Sequence, residues 1–318
     1  MAFGITALVV TGASWCLVGI ILGRAPGDGL DTGIIQLLGA CVSIAAGIAI
    51  ALCFLLPGSL PAAGVLLPCC MIYFAAGIFN YSGLQAMAEG MRTGPNGSVW
   101  GIMQSAMVFP FLAGILFFGV ALTLPRALGI LALLGALPLF SMAGNQRTQD
   151  RTGKKPDDGR WRFWAFLAFS LIAVQQILAT LPSYHPEARE VSPLFRAASS
   201  SAGTLAGAFL QIAFQRGRSY SGFFKKIRGS LSRPRLWVYV FFMQFFSLIF
   251  AYTLLYPGLD AMGKAGAGAV SYPLMVGSCI VSFSLYSALR LKERISPAQL
   301  AALVLCLGGL AGLCFPAP

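Results

Sequence analysis

Residues 100–119 read WGIMQSAMVFPFLAGILFFG, a run without a single charged side chain. A helix needs roughly 20 apolar residues to cross about 30 Å of hydrocarbon, so this run is long enough to span a bilayer. Residues 34–52 have the same nearly continuous apolar character. A transmembrane barrel would instead show short stretches of alternating polarity. The two runs therefore predict membrane-spanning helices.

Similar runs occur from one end of the chain to the other. The ten predicted spans are residues 3–23, 34–56, 62–84, 98–119, 127–143, 163–181, 197–214, 236–256, 265–289 and 298–315. With 57% hydrophobic residues, 10% charged residues and a mean hydropathy of +0.78, the chain lacks the polar surface of a soluble globule. The predicted fold class is an all-α integral membrane protein with ten transmembrane helices.

The positive charges are distributed unevenly among the segments between the spans. Of the 22 Lys and Arg residues, all but Arg126, Arg189, Arg196 and Lys264 lie in the odd-numbered segments. The positive-inside rule places these segments in the cytoplasm and both termini outside a cell inner (plasma) membrane. The net charge of +12 then reflects topology and attraction to anionic membrane lipids, and nucleic-acid binding is not expected.

Two of the segments between spans are unusually long. Residues 144–160 are polar and mixed in charge, which predicts a flexible linker between a first unit (1–143) and a second unit (161–318) of five spans each. Residues 215–235 carry Phe223 and Phe224 among basic residues. This segment is either a short amphipathic piece on the membrane face or a solvated loop.

An internal repeat relates the two units. Residues 83–87, GLQAM, reappear as GLDAM at 258–262, and PRAL at 125–128 aligns with PAQL at 297–300. Both matches fall at equivalent places, after the third and before the fifth span of their units. Because each unit has an odd number of spans, the two copies are predicted to be inverted. Inverted repeats commonly build alternating access around a site near the bilayer midplane.

Two motifs resemble the drug/metabolite transporter superfamily. Residues 291–300, LKERISPAQL, look like the basic-acidic-basic turn and proline before the last helix of EamA-type members. Residues 119–125, GVALTLP, are the first-half equivalent of this turn and lack the Glu often present there. Residues 77–84, GIFNYSGL, are similar to the rhamnose and glucose uptake branch. The resemblance implies two five-helix halves and a cavity lined by spans one, three, four, six, eight and nine.

Polar side chains inside spans are expected to face the bundle interior, because exposure to lipid is costly. The substrate-binding candidates are Trp15, Asn80, Tyr81, Gln85, Gln104, Gln176, Gln244, Tyr252 and Tyr272, with Ser105, Gln175 and Ser271 beside them. The alternative role for each is an interhelical hydrogen bond worth about 0.6–2 kcal/mol. Trp15, Gln104 and Tyr272 are the leading candidates for direct substrate contact.

Three ionisable residues near the ends of spans are candidates for gating or coupling. They are Glu89, Asp260 and Lys264, and the repeat pairs Gln85 with Asp260 and Glu89 with Lys264. Asp260 and Lys264 are four residues apart, so on a continuous helix they would neutralise each other. This pair is either a gate or proton-linked device, or a solvated ion pair at a helix end worth about 0–1 kcal/mol.

The sequence favours a secondary transporter of a small organic solute, such as an amino acid, a sugar or a related metabolite. A proton-coupled sugar symporter and a non-transporting sensor or assembly protein stay open as alternatives. The predicted spans hold no Arg or Lys, which argues for neutral or zwitterionic substrates. The single histidine, His185, lies in a loop, so no catalytic residues, metal or cofactor are expected. The expected partners are the solute, lipids, a proton as candidate coupling ion, and at most a weak homodimer.

Overall fold

The computed structural model describes residues 1–54, 63–94, 96–119, 121–152, 159–214, 220–290 and 295–314. Every secondary-structure element in these ranges is helical, which confirms the predicted all-α class. The long helices are Ala2–Arg24 (α1), Thr32–Phe54 (α2), Ala63–Thr93 (α3), Asn96–Phe118 (α4), Leu124–Thr152 (α5), Arg160–Tyr184 (α6), Pro193–Phe214 (α7), Pro234–Lys264 (α8), Ser271–Leu289 (α9) and Pro297–Cys314 (α10). Two short helices, Pro186–Arg189 and Tyr220–Leu231, flank α7.

Seven of the helices in the described ranges are long and apolar enough to cross a membrane. They are α1, α2, α3, α4, α6, α8 and the segment Gly268–Tyr286, which contains most of α9. Shorter apolar stretches, Leu124–Phe140 and Pro297–Gly312, lie in α5 and α10. The helix α7 carries Arg196 and the serines at 199–201 and belongs to neither group. The helices are those of a multi-pass membrane protein.

Large apolar side chains cover much of the outer surface of the bundle. Leu116 and Phe117 are each 74% exposed, and Leu67 and Phe163 are each 63% exposed. Such a surface would promote aggregation in water, since soluble monomers rarely expose large contiguous apolar patches. In a bilayer these side chains would contact lipid tails, so the surface agrees with the apolar helices.

The contacts between the helices are symmetric with respect to the two halves of the chain. Helix α3 packs against α6 and α7, while α8 packs against α1 and α2. Helix α4 packs against α6, while α9 packs against α1. Helix α5 packs against α10, and α2 packs against α7. Adding or subtracting five from each helix number exchanges the two α3 contacts with the two α8 contacts and the α4–α6 contact with the α9–α1 contact, and it converts the α5–α10 and α2–α7 contacts into themselves.

Small residues allow the closest of these approaches. A Cβ atom added to Gly77 of α3 would lie 2.0 Å from the carbonyl oxygen of Ser200 in α7. Across the same crossing, a Cβ atom on Gly203 would lie 1.9 Å from the carbonyl oxygen of Phe74. Membrane helices associate through such small-residue contacts, because lipid tails provide no hydrophobic drive to bring helices together.

Gly77→Val is expected to destabilise the protein by about 1–3 kcal/mol, because the valine side chain would force α3 and α7 apart. Thermal unfolding in detergent measures the effect. Gly308→Val is the matched control, since a Cβ atom at Gly308 of α10 would meet no atom within 4 Å. Equal unfolding temperatures for the two variants would contradict the close crossing.

The structure bears differently on three segments that the sequence analysis singled out. The segment 144–160 does not begin as a loop, because α5 continues to Thr152; residues 153–158 lie outside the described residues. In the segment 215–235, the helix Tyr220–Leu231 agrees with the amphipathic alternative, with Lys225, Lys226 and Arg228 exposed. Residues 291–294 of the motif before the last helix are outside the described residues.

Candidate functional site

Eight of the helices enclose a central cavity of about 150 Å³. On this measure a single water needs about 10–15 Å³, so the cavity has room for a small solute. It is lined by α1 to α4 from the first half and by α6 to α9 from the second half. Trp15 and Gln175 lie near the middle of α1 and α6, so the cavity lies near the centre of the bundle.

The lining is rich in carboxamides and hydroxyls. The polar side chains that line the cavity are Gln36, Ser43, Asn80, Gln104, Gln175, Gln176, Ser200, Ser201, Thr204, Ser247, Tyr256 and Tyr272. Among the described residues that line it, none carries a charge at neutral pH. The cavity therefore combines many hydrogen-bonding groups with no fixed charge.

Several polar atoms at the cavity have no hydrogen-bond partner among the described residues. They include both amide atoms of Gln36, Oε1 of Gln176 and Nε1 of Trp100. A buried polar atom without a partner costs about 1–3 kcal/mol. The side chains that carry these atoms line the cavity, but the atoms themselves expose almost no surface, so a bound solute would reach them after a rotation of the side chain.

Aromatic rings form the walls on either side of the amides. The ring of Trp100 stacks on Phe283 with centroids 5.0 Å apart, and Trp15 is half-buried at the cavity. At the other end, Tyr256 meets Tyr73 edge to face at 5.0 Å. The ring of Tyr272 is buried beside Gln175, although its hydroxyl makes no hydrogen bond of good geometry. These rings give the cavity apolar surfaces that suit the faces of a small ring.

The structure brings together five of the nine substrate-binding candidates. Trp15, Asn80, Gln104, Gln176 and Tyr272 all line the cavity. They come from five different helices, and they meet because each of those helices turns at least one polar position toward the same central space.

The other four candidates lie elsewhere. Tyr81 donates a hydrogen bond to Oε1 of Gln211 at 2.5 Å, linking α3 to α7. Gln85 accepts a hydrogen bond from Thr32 at 3.2 Å, and Gln244 accepts one from Ser43. These three residues therefore make the interhelical hydrogen bonds given above as the alternative role.

Tyr252 is the fourth candidate outside the cavity, and its side chain is 38% exposed. Tyr256, one turn later in α8, lines the cavity instead. Residues Phe245–Leu255 form a π-helix, in which hydrogen bonds reach one residue further than in an α-helix. This widened turn changes which residues of α8 face inward.

The acidic candidate Asp260 is paired with Arg196 rather than with Lys264. Nη1 of Arg196 lies 2.9 Å from both carboxylate oxygens of Asp260. Oγ of Ser183 donates a third, longer hydrogen bond to the carboxylate at 3.3 Å. Lys264 is exposed, and the ion pairs of the described residues include Asp260 with Arg196 but not with Lys264, so the local pair considered from the sequence is not formed. A tertiary contact from α7 replaces the local pair.

Arg196 also corrects the expectation that the spans contain no basic residue. It lies in the first turn of α7 and is fully buried. Nη2 donates to the carbonyl oxygens of Ala188 at 3.0 Å and Arg189 at 2.8 Å. The guanidinium lies 6.0 Å from the ring centroid of Tyr256, which lines the cavity. The ion pair therefore stands directly behind one wall of the cavity.

Glu89, the remaining gating candidate, lies near the end of α3. Its carboxylate pairs with Arg92 on the same helix at 2.5 Å, and the Arg92 side chain is 59% exposed. An exposed pair of this kind is worth about 0–1 kcal/mol. The contact is the solvated pair at a helix end that the sequence analysis considered, although with a different partner.

Sequence reasoning missed the contribution of α2 and α7 to the cavity. Gln36 and Ser43 of α2 and Ser200, Ser201 and Thr204 of α7 all line it. The resemblance implied a cavity without the second and seventh spans, and the structure corrects this. The run of three serines at 199–201 inside an apolar segment was an available signal.

A second polar cluster connects the α1–α2 loop to the start of α8. Asp28 accepts hydrogen bonds from Tyr239 and, at 2.7 Å, from Arg235, while Asp31 pairs with Lys226 at 2.5 Å. The hydrogen bond from Tyr239 and the positive charge of Arg235 lower the pKa of Asp28. These contacts fasten the loop to the basic segment that follows α7.

A lowered pKa of Asp28 in the folded state stabilises the fold above the ordinary Asp pKa of about 3.9. This contribution is lost as the pH falls through the lowered value. Tyr239→Phe removes the largest cause of the shift, so the variant should be less stable than the native protein at neutral pH. The difference in unfolding temperature should shrink below about pH 4, and Tyr252→Phe serves as the control. A difference independent of pH would contradict the assignment.

Comparison with known proteins gives a likeness in fold. No family model matches the chain, and no curated protein matches it. A crystal structure of a protein is similar to it with a TM-score of 0.58 and 16% sequence identity. The similarity covers 97% of this chain and 94% of the other chain. At this identity the likeness concerns the fold alone.

Proposed function

We propose that this protein is a secondary transporter that moves a small polar organic solute across a membrane by alternating access. The observation that carries the proposal is the central cavity, which has a polar lining inside an otherwise apolar bundle and is built by helices of both halves. Polar groups inside membrane proteins are costly and usually mark a substrate or ion pathway. Gln36 and Gln176 line the cavity and carry amide atoms without partners in the described part of the chain, and a rotation of either side chain would present these atoms to a solute.

The packing of the helices supports ten spans arranged as two inverted repeats. The main contacts between the long helices are preserved when the two halves are exchanged. The first glycines of the two GLxAM motifs lie at equivalent helix contacts. A Cβ on Gly83 of α3 would lie 2.7 Å from Ile172 of α6, and one on Gly258 of α8 would lie 3.3 Å from Leu8 of α1.

Two hydrogen-bonded contacts are also related by the repeat. Gln85 and Asp260 are equivalent positions of the motif, and each is bonded to a residue in the first turn of a neighbouring helix. The partner is Thr32 of α2 in the first half and Arg196 of α7 in the second half. Thr32 and Arg196 each stand one helical turn before a cavity residue, Gln36 and Ser200 respectively.

In an inverted repeat, equivalent contacts lie on opposite sides of the membrane. Gln85 lies toward the end of α3 and Asp260 toward the end of α8, and the positive-inside rule assigns these ends to the cytoplasm and the exterior. We therefore propose that the Thr32–Gln85 contact and the Arg196–Asp260 contact are the inner and outer gates. The neutral contact is weaker than the charged one, so the cytoplasmic side is expected to open more readily.

Membership of the drug/metabolite transporter superfamily is a further part of the proposal. It rests on the two short motifs and on the arrangement of two five-helix halves. The proposed location is the inner (plasma) membrane, with the odd-numbered loops in the cytoplasm, and the proposed partners are the solute and lipids. Coupling to protons is left for experiment, with Asp260 as the acidic residue nearest the cavity wall.

Uptake into proteoliposomes tests the proposed function. Labelled monosaccharides and amino acids are offered with and without an imposed proton gradient. Saturable uptake is expected for at least one compound, and acceleration by the gradient would identify a proton symporter. Absence of uptake by folded protein across both panels would contradict the proposal and favour a sensor or assembly role.

A further inference from the structure

We propose that the transported solute is uncharged and carries several hydroxyl or amide groups. This inference rests on the proposed transport function and narrows the class of substrate. It excludes ions and also zwitterions such as free amino acids, which the sequence alone left open.

The first argument is the absence of an available countercharge. No Asp, Glu, Lys, Arg or His lies among the described residues that line the cavity. The charged groups behind the Tyr256 wall, Asp260 and Arg196, already bind each other through two contacts of 2.9 Å. Nη2 of Arg196 is bound to the Ala188 and Arg189 carbonyls. Its Nε has no partner among the described residues, but Arg196 is not part of the cavity lining and its charge is balanced by Asp260.

The energetic consequence is large for a charged solute. The effective cost of removing an ion from water into a protein interior is several kcal/mol unless a partner charge is present. A zwitterion carries two such charges and would need two partners. An uncharged solute only has to replace its hydrogen bonds to water, and the lining offers carboxamides and hydroxyls for this.

The second argument is the kind of hydrogen bond that the lining can make. A carboxamide presents a donor and an acceptor side by side, which matches a pair of neighbouring hydroxyls or an amide edge. Both amide atoms of Gln36 and Oε1 of Gln176 are without partners in the described part of the chain. The rings of Trp15 and Trp100 lie at the same cavity and can cover the apolar face of the solute.

Compounds matched in shape but not in charge test this inference. One pair is glucose and glucuronate, and the other is lactamide and alanine. Each compound is assayed at neutral pH in two ways. The first measures its shift of the unfolding temperature of the protein, and the second measures its inhibition of the uptake of the labelled compound found in the proteoliposome assay. In every pair of which a member binds, the neutral member should bind about tenfold more tightly than its charged partner.

The outcomes separate this inference from the transport proposal. Tighter binding or faster uptake of glucuronate or alanine would overturn the inference and leave transport standing. No binding or uptake of any compound would instead overturn the transport proposal, on which the inference rests.

A charge introduced into the cavity provides a second, independent test. Gln176→Glu adds a carboxylate with nearly unchanged shape, so the variant should gain binding of the glucosamine cation relative to glucose. Ser247→Asp places a charge at an exposed position of the same lining and covers the case in which Gln176→Glu fails to fold. An unchanged preference in both variants, with both folded, would contradict recognition by the uncharged lining.

Discussion

Replacing Arg196 with Leu is expected to lower the free energy of unfolding by about 3–5 kcal/mol, the usual cost of leaving a buried charge without its partner. The carboxylate of Asp260 would lose two hydrogen bonds of 2.9 Å, and the Ala188 and Arg189 carbonyls would lose their donor. Thermal unfolding of the purified protein in detergent measures the loss.

The double variant Arg196→Leu and Asp260→Leu separates the charge from the packing. Because it removes both partners, it should recover much of the stability that either single variant loses. Lys264→Leu is the control for charge removal at the same end of α8, and no effect above about 0.5 kcal/mol is expected at this exposed residue. Equal losses in the single and double variants would contradict a specific pair.

Replacing Gln176 with Leu is expected to reduce solute uptake at least about tenfold while leaving the protein folded. The change preserves most of the side-chain volume but removes an amide whose Oε1 has no partner in the described protein. One hydrogen bond to a solute accounts for a factor of this size, since about 1.4 kcal/mol is tenfold in affinity.

A glutamine outside the cavity controls for a general effect of the substitution. Gln211 of α7 accepts a hydrogen bond from Tyr81 and does not line the cavity. Gln211→Leu should therefore keep near-native uptake, even if it lowers the unfolding temperature slightly. Loss of uptake in Gln211→Leu but not in Gln176→Leu would contradict binding of the solute in the central cavity.

Much of the fold could be predicted because the bilayer requires long apolar helices. Each predicted span overlaps one long helix in the described ranges, and the basic segment after α7 contains the amphipathic helix Tyr220–Leu231. The end of α5 could not be predicted in the same way. Its last turns are polar, so no apolar run marks the continuation to Thr152.

The cavity was harder to predict because the inward direction of a side chain depends on the rotation of each helix. Asn80 and Tyr81 are adjacent in sequence, yet Asn80 lines the cavity and Tyr81 bonds to α7. In α8 the π-helical turns bring Tyr256 inward and leave Tyr252 exposed. A regular period of 3.6 residues turns Asn80 and Tyr81 about 100° apart but does not say which of them faces inward, and it does not anticipate the π-helical turns of α8.

The ion pair behind the cavity was missed for a related reason. Local spacing favoured Lys264 as the partner of Asp260, because residues four apart are neighbours on a helix. Arg196, 64 positions away in the chain, reaches the carboxylate instead. A buried arginine at the edge of an apolar segment looks like a loop residue until its tertiary partner is known.

Counterflow tests alternating access most directly. Proteoliposomes are loaded with a high concentration of the unlabelled solute and diluted into a trace of the labelled one. The account predicts a transient accumulation of label inside, because one cavity open to alternate sides exchanges internal for external solute, and Gln176→Leu should abolish it. Label that equilibrates without any overshoot, unaffected by preloading, would indicate a channel and contradict the account.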